Sequence, residues 1–172
     1  MAHDVFISYS SKDKSVADAA CALLEARGIR CWMAPRDILP GSEWGAAIIN
    51  AIGAAKVMVL IYTSSSNASP QVRREVERAV ARGLHVIPFR VEDVPMSPAL
   101  EYFISTPHWL DALSPPLERH LDHLARIIKA VLDAQNAGVD GSSAVAPALA
   151  APAAGEPAYP AHTGSEDRKS VV

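Results

Sequence analysis

The sequence is poor in cysteine, in excess charge and in long apolar runs. Only Cys21 and Cys31 occur in 172 residues. Cys21 falls on the apolar stripe of a predicted helix and Cys31 in a predicted strand, so we expect buried free thiols rather than a disulfide or a metal site. The net charge of −3 is too small to indicate nucleic acid as a partner. No apolar run reaches the roughly 18 residues that span a bilayer, so we expect no direct membrane contact.

Targeting and metal-binding patterns are also missing. The first four residues lead straight into a predicted strand, so we expect no signal peptide and a cytoplasmic location. The six histidines are scattered along the chain. His120 and His123 lie on one face of a charged helix without a cysteine nearby, which is typical of a solvated surface, and we expect no bound metal.

What the sequence does contain is a regular alternation of strands and helices. Apolar runs predict strands at about 4–9, 29–33, 57–62, 84–90 and 106–111, and apolar stripes predict helices at about 14–27, 43–53, 70–82 and 116–137. This alternation predicts an α/β fold with a flavodoxin-like three-layer αβα arrangement, in which a five-stranded parallel sheet has the order 2-1-3-4-5. In the second helix we expect Ser42 as the N-cap and Trp44 facing the core.

The composition changes after the last predicted helix. Alanine and proline dominate from about residue 138 onward, turn residues recur and the apolar periodicity is lost. We therefore expect one folded domain over residues 1–136 and a disordered tail or linker over residues 137–172.

The predicted strand order places a ligand-binding crevice between the first and third strands. The order reverses there, and open α/β sheets bind ligands at the carboxyl ends of the strands beside such a switch point. Hydroxyl-rich residues end both strands: Ser8, Tyr9 and Ser10 after the first, and residues 63–66 after the third. The loop from Pro35 to Gly41 follows the second strand. It is long for such a connection, and it can fold over the same crevice.

Several kinds of chemistry are excluded by what the crevice lacks. The sequence has no Gly-rich dinucleotide motif, no P-loop, no nucleophile elbow and no suitable Cys/His pair. A phospho-accepting receiver domain of this fold needs acidic residues at the ends of the first and third strands. Here both strands end in hydroxyl residues, which argues against phospho-acceptance. What remains is a set of hydroxyls, a loop with one arginine and one aspartate, and Glu75 on the third predicted helix.

That glutamate, Glu75, is the main candidate for chemistry. Ser69 and Pro70 predict the start of its helix, and at 100° per residue Glu75 lies about 80° from the centre of the apolar stripe, at the border between core and solvent. Two interpretations stay open. Glu75 either forms an ordinary ion pair with Arg78 or Arg82 on the same flank, which sequence statistics favour, or acts at the crevice.

One carboxylate is enough for one class of reaction. When the leaving group is already cationic, as nicotinamide is in NAD+, no general acid is needed and the glycosidic bond breaks through an oxocarbenium-like transition state. A carboxylate beside the ribose stabilises that cation or holds the ribose hydroxyls. The residues are compatible with this reaction but do not distinguish it from other functions of the crevice.

Four stretches of the sequence resemble a Toll/interleukin-1 receptor (TIR) domain, most of all the bacterial type. They are residues 4–10, 24–32, 35–41 and 72–76, and they occur in the order expected of the family. The resemblance runs from about Asp4 to Leu132. It implies the same flavodoxin-like fold, and it implies that the loop from Pro35 to Gly41 is the family's BB loop, which shapes both assembly contacts and the pocket.

The resemblance also implies an activity. Many TIR domains cleave NAD+ to nicotinamide and ADP-ribose or cyclic ADP-ribose, the cyclic products being signals in anti-phage defence, and their catalytic glutamate corresponds to Glu75. NAD+ is then the substrate and no cofactor is needed. The pocket residues implied by position are Ser8, Tyr9, Ser10, Arg36, Asp37 and Gln71. Many of these enzymes have a tryptophan where this chain has Gln71, a departure that bears on rate and product.

Three roles follow from the resemblance. The first is an NAD+ glycohydrolase activated by self-association through contacts that include the loop from Pro35 to Gly41. The second is a non-catalytic scaffold that recruits other TIR domains, and the third is an effector that disturbs a host's TIR signalling. Glu75 favours the first role, Gln71 leaves room for the second, and no targeting signal supports the third.

Overall fold

The computed structural model describes residues 3–104 and 109–139, which alternate between strands and helices as the sequence predicts. The strands are β1 (Val5–Ser8), β2 (Cys31–Trp32), β3 (Val57–Tyr62), β4 (His85–Arg90) and β5 (Leu110–Asp111). The helices are α1 (Lys14–Ala26), α2 (Trp44–Ala54), α3 (Ser64–Asn67), α4 (Pro70–Ala81), α5 (Pro98–Glu101) and α6 (Leu117–Val139). A short 3-10 turn, Ser11–Asp13, precedes α1.

All five strands are parallel and lie in the order β2-β1-β3-β4-β5. The predicted fold class and strand order are therefore confirmed. β3 lies at the centre, and all six of its residues are buried, which explains why its sequence is apolar on both faces. Ser8, the last residue of β1, is in register with Leu60 of β3.

Helices cover both faces of the sheet. Alternate residues of β3 point to opposite sides: Val57, Val59 and Ile61 belong to one core cluster, and Met58, Leu60 and Tyr62 to the other. The first cluster contains apolar residues of α1 and α6, and the second contains those of α2, α4 and α5. The molecule thus has the predicted three layers, with α2 and α4 side by side on one face.

The predicted start of α2 is wrong in two respects. Ser42 does not cap the helix: its hydroxyl donates to the carbonyl of Leu39 at 2.5 Å, and Glu43 holds the N-cap position without a side-chain capping bond. Trp44 does not face the core either, since 55% of it is exposed. The buried residues of α2 are Ala51 and Ile52, and Trp44 lies eight residues before Ile52, about 80° away around the helix.

Other sequence predictions have simpler outcomes. Cys21 and Cys31 are buried and free, as expected. The hydroxyl-rich residues after β3 form the single turn α3. No helix in the described part of the chain is long and apolar enough to cross a membrane. The helix α6 extends to Val139, so the first three residues of the predicted tail are helical, and the rest of the predicted tail lies outside the described residues.

Candidate active site

Glu75 projects from the second turn of α4 toward the carboxyl end of β1. Ser69 and Pro70 start this helix as predicted: the Ser69 hydroxyl accepts from the amide of Val72 at 3.3 Å. The buried side of α4 is formed by Val72, Val76 and Ala79. Glu75, next to this stripe, is 7% exposed, and among the residues that the structure describes it is the only buried charged side chain. A buried carboxylate needs partners, so its contacts decide what it does.

Two neutral donors hold the Glu75 carboxylate. The Ser8 hydroxyl donates to Oε2 at 2.6 Å, and the Gln71 side-chain amide donates to Oε1 at 3.2 Å. Within residues 3–104 and 109–139, no cationic side chain lies within 4.0 Å of this carboxylate. The ion-pair interpretation with Arg78 or Arg82 is therefore not what the structure shows.

Burial raises the pKa of Glu75, and the hydrogen bonds from Ser8 and Gln71 partly oppose this effect. Both partners are donors, so they stabilise the ionised form of the carboxylate. The result is a carboxylate with a pKa above its usual value that still has hydrogen-bond donors suited to the anion. Such perturbed groups beside a cavity are typical of functional sites.

Two cavities meet at Glu75. One, of about 510 Å³, lies between α2 and α4. The other, of about 330 Å³, lies between the end of β1 and the start of the loop after β2. Glu75, Gln71 and Trp44 border both of them. Each volume falls within the ~300–1,000 Å³ that ligand sites occupy, so a ligand that filled both would pass the carboxylate.

Tyr9 and Ser10 line the smaller cavity. The Tyr9 hydroxyl donates to the carbonyl of Ala34, which joins the end of β1 to the loop after β2. Burial also raises the pKa of Tyr9. Ser10 caps the 3-10 turn, since its hydroxyl accepts from the amide of Lys12 at 3.5 Å. The structure thus brings Tyr9, Ser10 and Glu75 together around one cavity.

Arg36 and Asp37 lie elsewhere. The Arg36 guanidinium donates to Asp37 at 2.7 Å, to Glu25 at 3.0 Å and to the carbonyl of Cys31 at 2.9 Å. Asp37 in turn accepts from the amide of Met33 at 2.9 Å. These bonds fasten the loop to α1 and β2, and neither residue borders the two cavities. Their part in substrate binding stays a prediction.

The hydroxyl residues after β3 have local partners. The Thr63 hydroxyl donates to Asp13 at 2.7 Å and also accepts from the amide of Ser66, which closes α3 with a capping box. None of these residues lines the two cavities. The bond between Thr63 and Asp13 bridges the loops that follow β1 and β3. The cavities beside Glu75 therefore lie toward β2 and α2 rather than midway between β1 and β3.

The larger cavity is also lined by residues that the sequence did not predict at the site, among them Trp44, Arg74 and Arg78. Arg74 and Arg78 could have been found, because residues 71, 74, 75 and 78 follow the i, i+3, i+4, i+7 spacing of one helix face. In the part of the chain described, no group of three or more histidine, cysteine or acidic residues is arranged to hold a metal ion.

The fold and the position of the site define a class, that of flavodoxin-like domains with a buried carboxylate at the carboxyl end of β1. Residues 5–128 match the family model of the TIR domain. The chain therefore belongs to the TIR domain family, as the resemblance indicated. No curated protein matches the sequence.

Solved structures show the same fold at low sequence identity. The TIR domain of a Toll-related receptor from Hydra magnipapillata superimposes with a TM-score of 0.63 at 20% identity, covering 74% of this chain and 98% of that one. A metazoan TIR-STING receptor from C. gigas gives 0.56 at 26% identity, covering 72% of this chain and 39% of the receptor. A CMP N-glycosidase from Clostridium botulinum gives 0.51 at 16% identity, with coverage of 70% and 97%.

Proposed function

We propose that this TIR domain is an NAD+ glycohydrolase that cleaves NAD+ to nicotinamide and ADP-ribose or cyclic ADP-ribose. The observation that carries the proposal is the position of Glu75. Its buried carboxylate accepts hydrogen bonds from Ser8 and Gln71 and lies where two cavities meet. The CMP N-glycosidase of the same fold supports a reaction at the glycosidic bond of a nucleotide.

The chemistry needs one negative charge in the right place. Nicotinamide leaves with the electron pair of the glycosidic bond and becomes neutral, so no acid has to protonate it. The ribose carbon left behind develops positive charge, which the Glu75 carboxylate stabilises across a short distance. Water then adds to that carbon and loses a proton, which gives ADP-ribose, or a nitrogen of the substrate's own adenine adds instead, which gives the cyclic product.

Ser8 and Gln71 support this role of Glu75. The ionised carboxylate is the form that stabilises a cation, and burial alone works against ionisation. The two donors offset part of that cost and also fix the orientation of the carboxylate. NAD+ is the substrate here, and the reaction needs no cofactor.

Self-association belongs to the same proposal. Leu39, in the loop from Pro35 to Gly41, is 74% exposed, and the first residue of this loop, Pro35, borders the smaller cavity. A second copy that covers Leu39 would also help to exclude water from the site. We therefore expect activity to depend on assembly, as suits a signalling or antiviral role in which a trigger brings copies together.

The experiment is to incubate the protein with NAD+ over a range of protein concentrations and to follow nicotinamide release and product mass. We expect release that rises faster than linearly with protein concentration and that is lost in Glu75→Ala. If Glu75→Ala releases nicotinamide as fast as the wild type, the catalytic site lies elsewhere.

The second candidate function is a scaffold that binds other TIR domains without catalysis. It is favoured by the exposure of Leu39, and by Gln71 at the position where many TIR enzymes have a tryptophan. If no nicotinamide is released at any concentration, even with crowding agents, while the chain still self-associates, the scaffold is the function that remains.

A further inference from the structure

The larger cavity combines an apolar wall with two arginines. Ile48, Ile52 and Trp44 of α2 form its apolar side, and Arg74 and Arg78 of α4 stand opposite. Both arginines are exposed. Across the described residues, neither guanidinium lies within 4.0 Å of a carboxylate. Two cationic groups on a cavity wall, free of ion pairs within the fold, are available to an anionic ligand.

We propose that Arg74 and Arg78 bind the phosphate groups of the nucleotide substrate, an inference that rests on Glu75 being the site of bond cleavage. Guanidinium groups bind phosphate oxygens with paired hydrogen bonds, and an i, i+4 pair of arginines presents two such forks on one helix face. Arg78 lies three residues beyond Glu75, which is about 4.5 Å along the helix axis. The phosphates then lie close to the ribose that Glu75 faces.

The positions of the arginines also indicate how the substrate is oriented between the two cavities. Among the described residues, arginine lines the larger of the two cavities at Glu75 and not the smaller one. The phosphate-bearing part of the substrate therefore occupies the cavity between α2 and α4, and the leaving base occupies the smaller cavity beside Tyr9 and Pro35. This direction also matches the volumes, since the larger part of a dinucleotide enters the larger space.

Glu77 tests the electrostatic side of the proposal. It lines the same cavity as Arg74 and Arg78, so its negative charge opposes a bound phosphate. Removing that charge in Glu77→Gln should strengthen binding, whereas removing the arginines should weaken it. The two opposite effects separate a phosphate site from general damage to the helix.

The first experiment measures steady-state kinetics with NAD+ for the wild type, for Arg74→Gln/Arg78→Gln and for the control Arg73→Gln. Arg73 is exposed on the same helix but does not line the cavity. We expect the double variant to raise KM by about tenfold, with kcat within about threefold of the wild type. Arg73→Gln should change neither. A KM that is the same in the double variant and in the control would overturn the proposal.

A binding experiment separates this proposal from the proposed function. ADP-ribose is titrated calorimetrically into the wild type, the double arginine variant, Arg73→Gln and Glu77→Gln. We expect the double variant to bind about tenfold more weakly than the wild type and Glu77→Gln to bind more tightly. Equal affinity in all four proteins, or no binding to the wild type at millimolar ADP-ribose, overturns the phosphate site. If the wild type binds as expected but releases no nicotinamide from NAD+, the glycohydrolase proposal fails and the phosphate site stands.

Discussion

The hydroxyl of Ser8 and the carboxylate of Glu75 form a 2.6 Å hydrogen bond between residues 67 positions apart in the sequence. It joins the end of β1 to the second turn of α4 and is buried at both partners. An O–H···O bond of this length is typical of a charge-assisted bond to an ionised carboxylate. Ser8 is therefore a positioning residue, which holds Glu75 in the form and the direction that the proposed reaction needs.

Ser8→Ala should weaken the proposed activity most strongly at acid pH. The Ser8 hydrogen bond lowers the pKa of Glu75 against the effect of burial, so its removal raises that pKa further. A larger fraction of Glu75 is then protonated at a given acid pH. We expect kcat/KM for NAD+ to fall by about three- to tenfold at pH 8 and by more at pH 6, measured by nicotinamide release across that range.

The matched control is Ser15→Ala, a change at an exposed serine of α1. It should leave both kcat/KM and its pH dependence as in the wild type. A Ser8→Ala protein with lower activity but an unshifted acid limb would show that Ser8 supports packing only, and not the ionisation of Glu75.

Glu75→Gln should make the folded protein more stable above the ordinary glutamate pKa. The pKa of Glu75 is raised in the folded state, so as pH rises Glu75 ionises in the unfolded chain before it ionises in the folded protein. The folded protein therefore loses stability between the ordinary glutamate pKa and the raised pKa. Below about pH 4 the carboxyl is protonated in both states and the difference disappears.

Urea unfolding at pH 4 and pH 8 measures this difference. We expect the free energy of unfolding of Glu75→Gln to exceed that of the wild type by about 0.5–2 kcal/mol at pH 8 and to match it at pH 4. A variant that is less stable than the wild type at pH 8 would show that the ionised carboxylate stabilises the fold rather than straining it.

Trp44→Ala should affect substrate binding and leave stability nearly unchanged. The indole is 55% exposed and borders both cavities at Glu75, so it is placed to stack on a substrate base. Such stacking contributes about 1–3 kcal/mol per base. We expect KM for NAD+ to rise by about tenfold, with a loss of less than about 1 kcal/mol in the free energy of unfolding. Trp44→Phe should keep most of the affinity; equal kinetics for Trp44→Ala and the wild type would contradict the prediction.

Leu39→Asp should reduce self-association and, with it, activity. Leu39 is 74% exposed, so a charge there costs the isolated domain little but opposes burial against a second copy. Sedimentation velocity should show less assembly, and nicotinamide release should become linear in protein concentration. Tyr102→Asp, at another residue that is 81% exposed, is the control. Equal loss of assembly in both variants would show that the loop from Pro35 to Gly41 does not form the assembly contact.

Most of the fold follows from the sequence because its strands are short apolar runs bounded by clear turn residues. The position of Glu75 near Ser8 also follows, since parallel strands of order 2-1-3-4-5 bring the end of β1 and the start of α4 to one edge. The orientation of α2 does not follow. Its residues are almost all apolar, so periodicity gives no single buried face, and the prediction that Trp44 faces the core is wrong.

The arginines and the loop show the limits of the sequence for the site. The spacing that places Arg74 and Arg78 on the same helix face as Glu75 is visible in the sequence, but the cavity on that face forms only because α2 packs beside α4. The guanidinium of Arg36 bonds to Glu25 and Asp37, and the part of Arg36 in substrate binding stays a prediction. Such pairings depend on the path of the loop, which the sequence pattern does not define.

The most direct test compares kcat/KM for NAD+ in the wild type, in Glu75→Gln and in Glu118→Gln, which removes an exposed carboxylate of α6. Loss of a group that stabilises charge in a transition state lowers the rate by about a hundredfold or more. We expect that loss in Glu75→Gln and no change in Glu118→Gln. A Glu75→Gln protein whose kcat/KM stays within about threefold of the wild type would contradict the proposed role of Glu75.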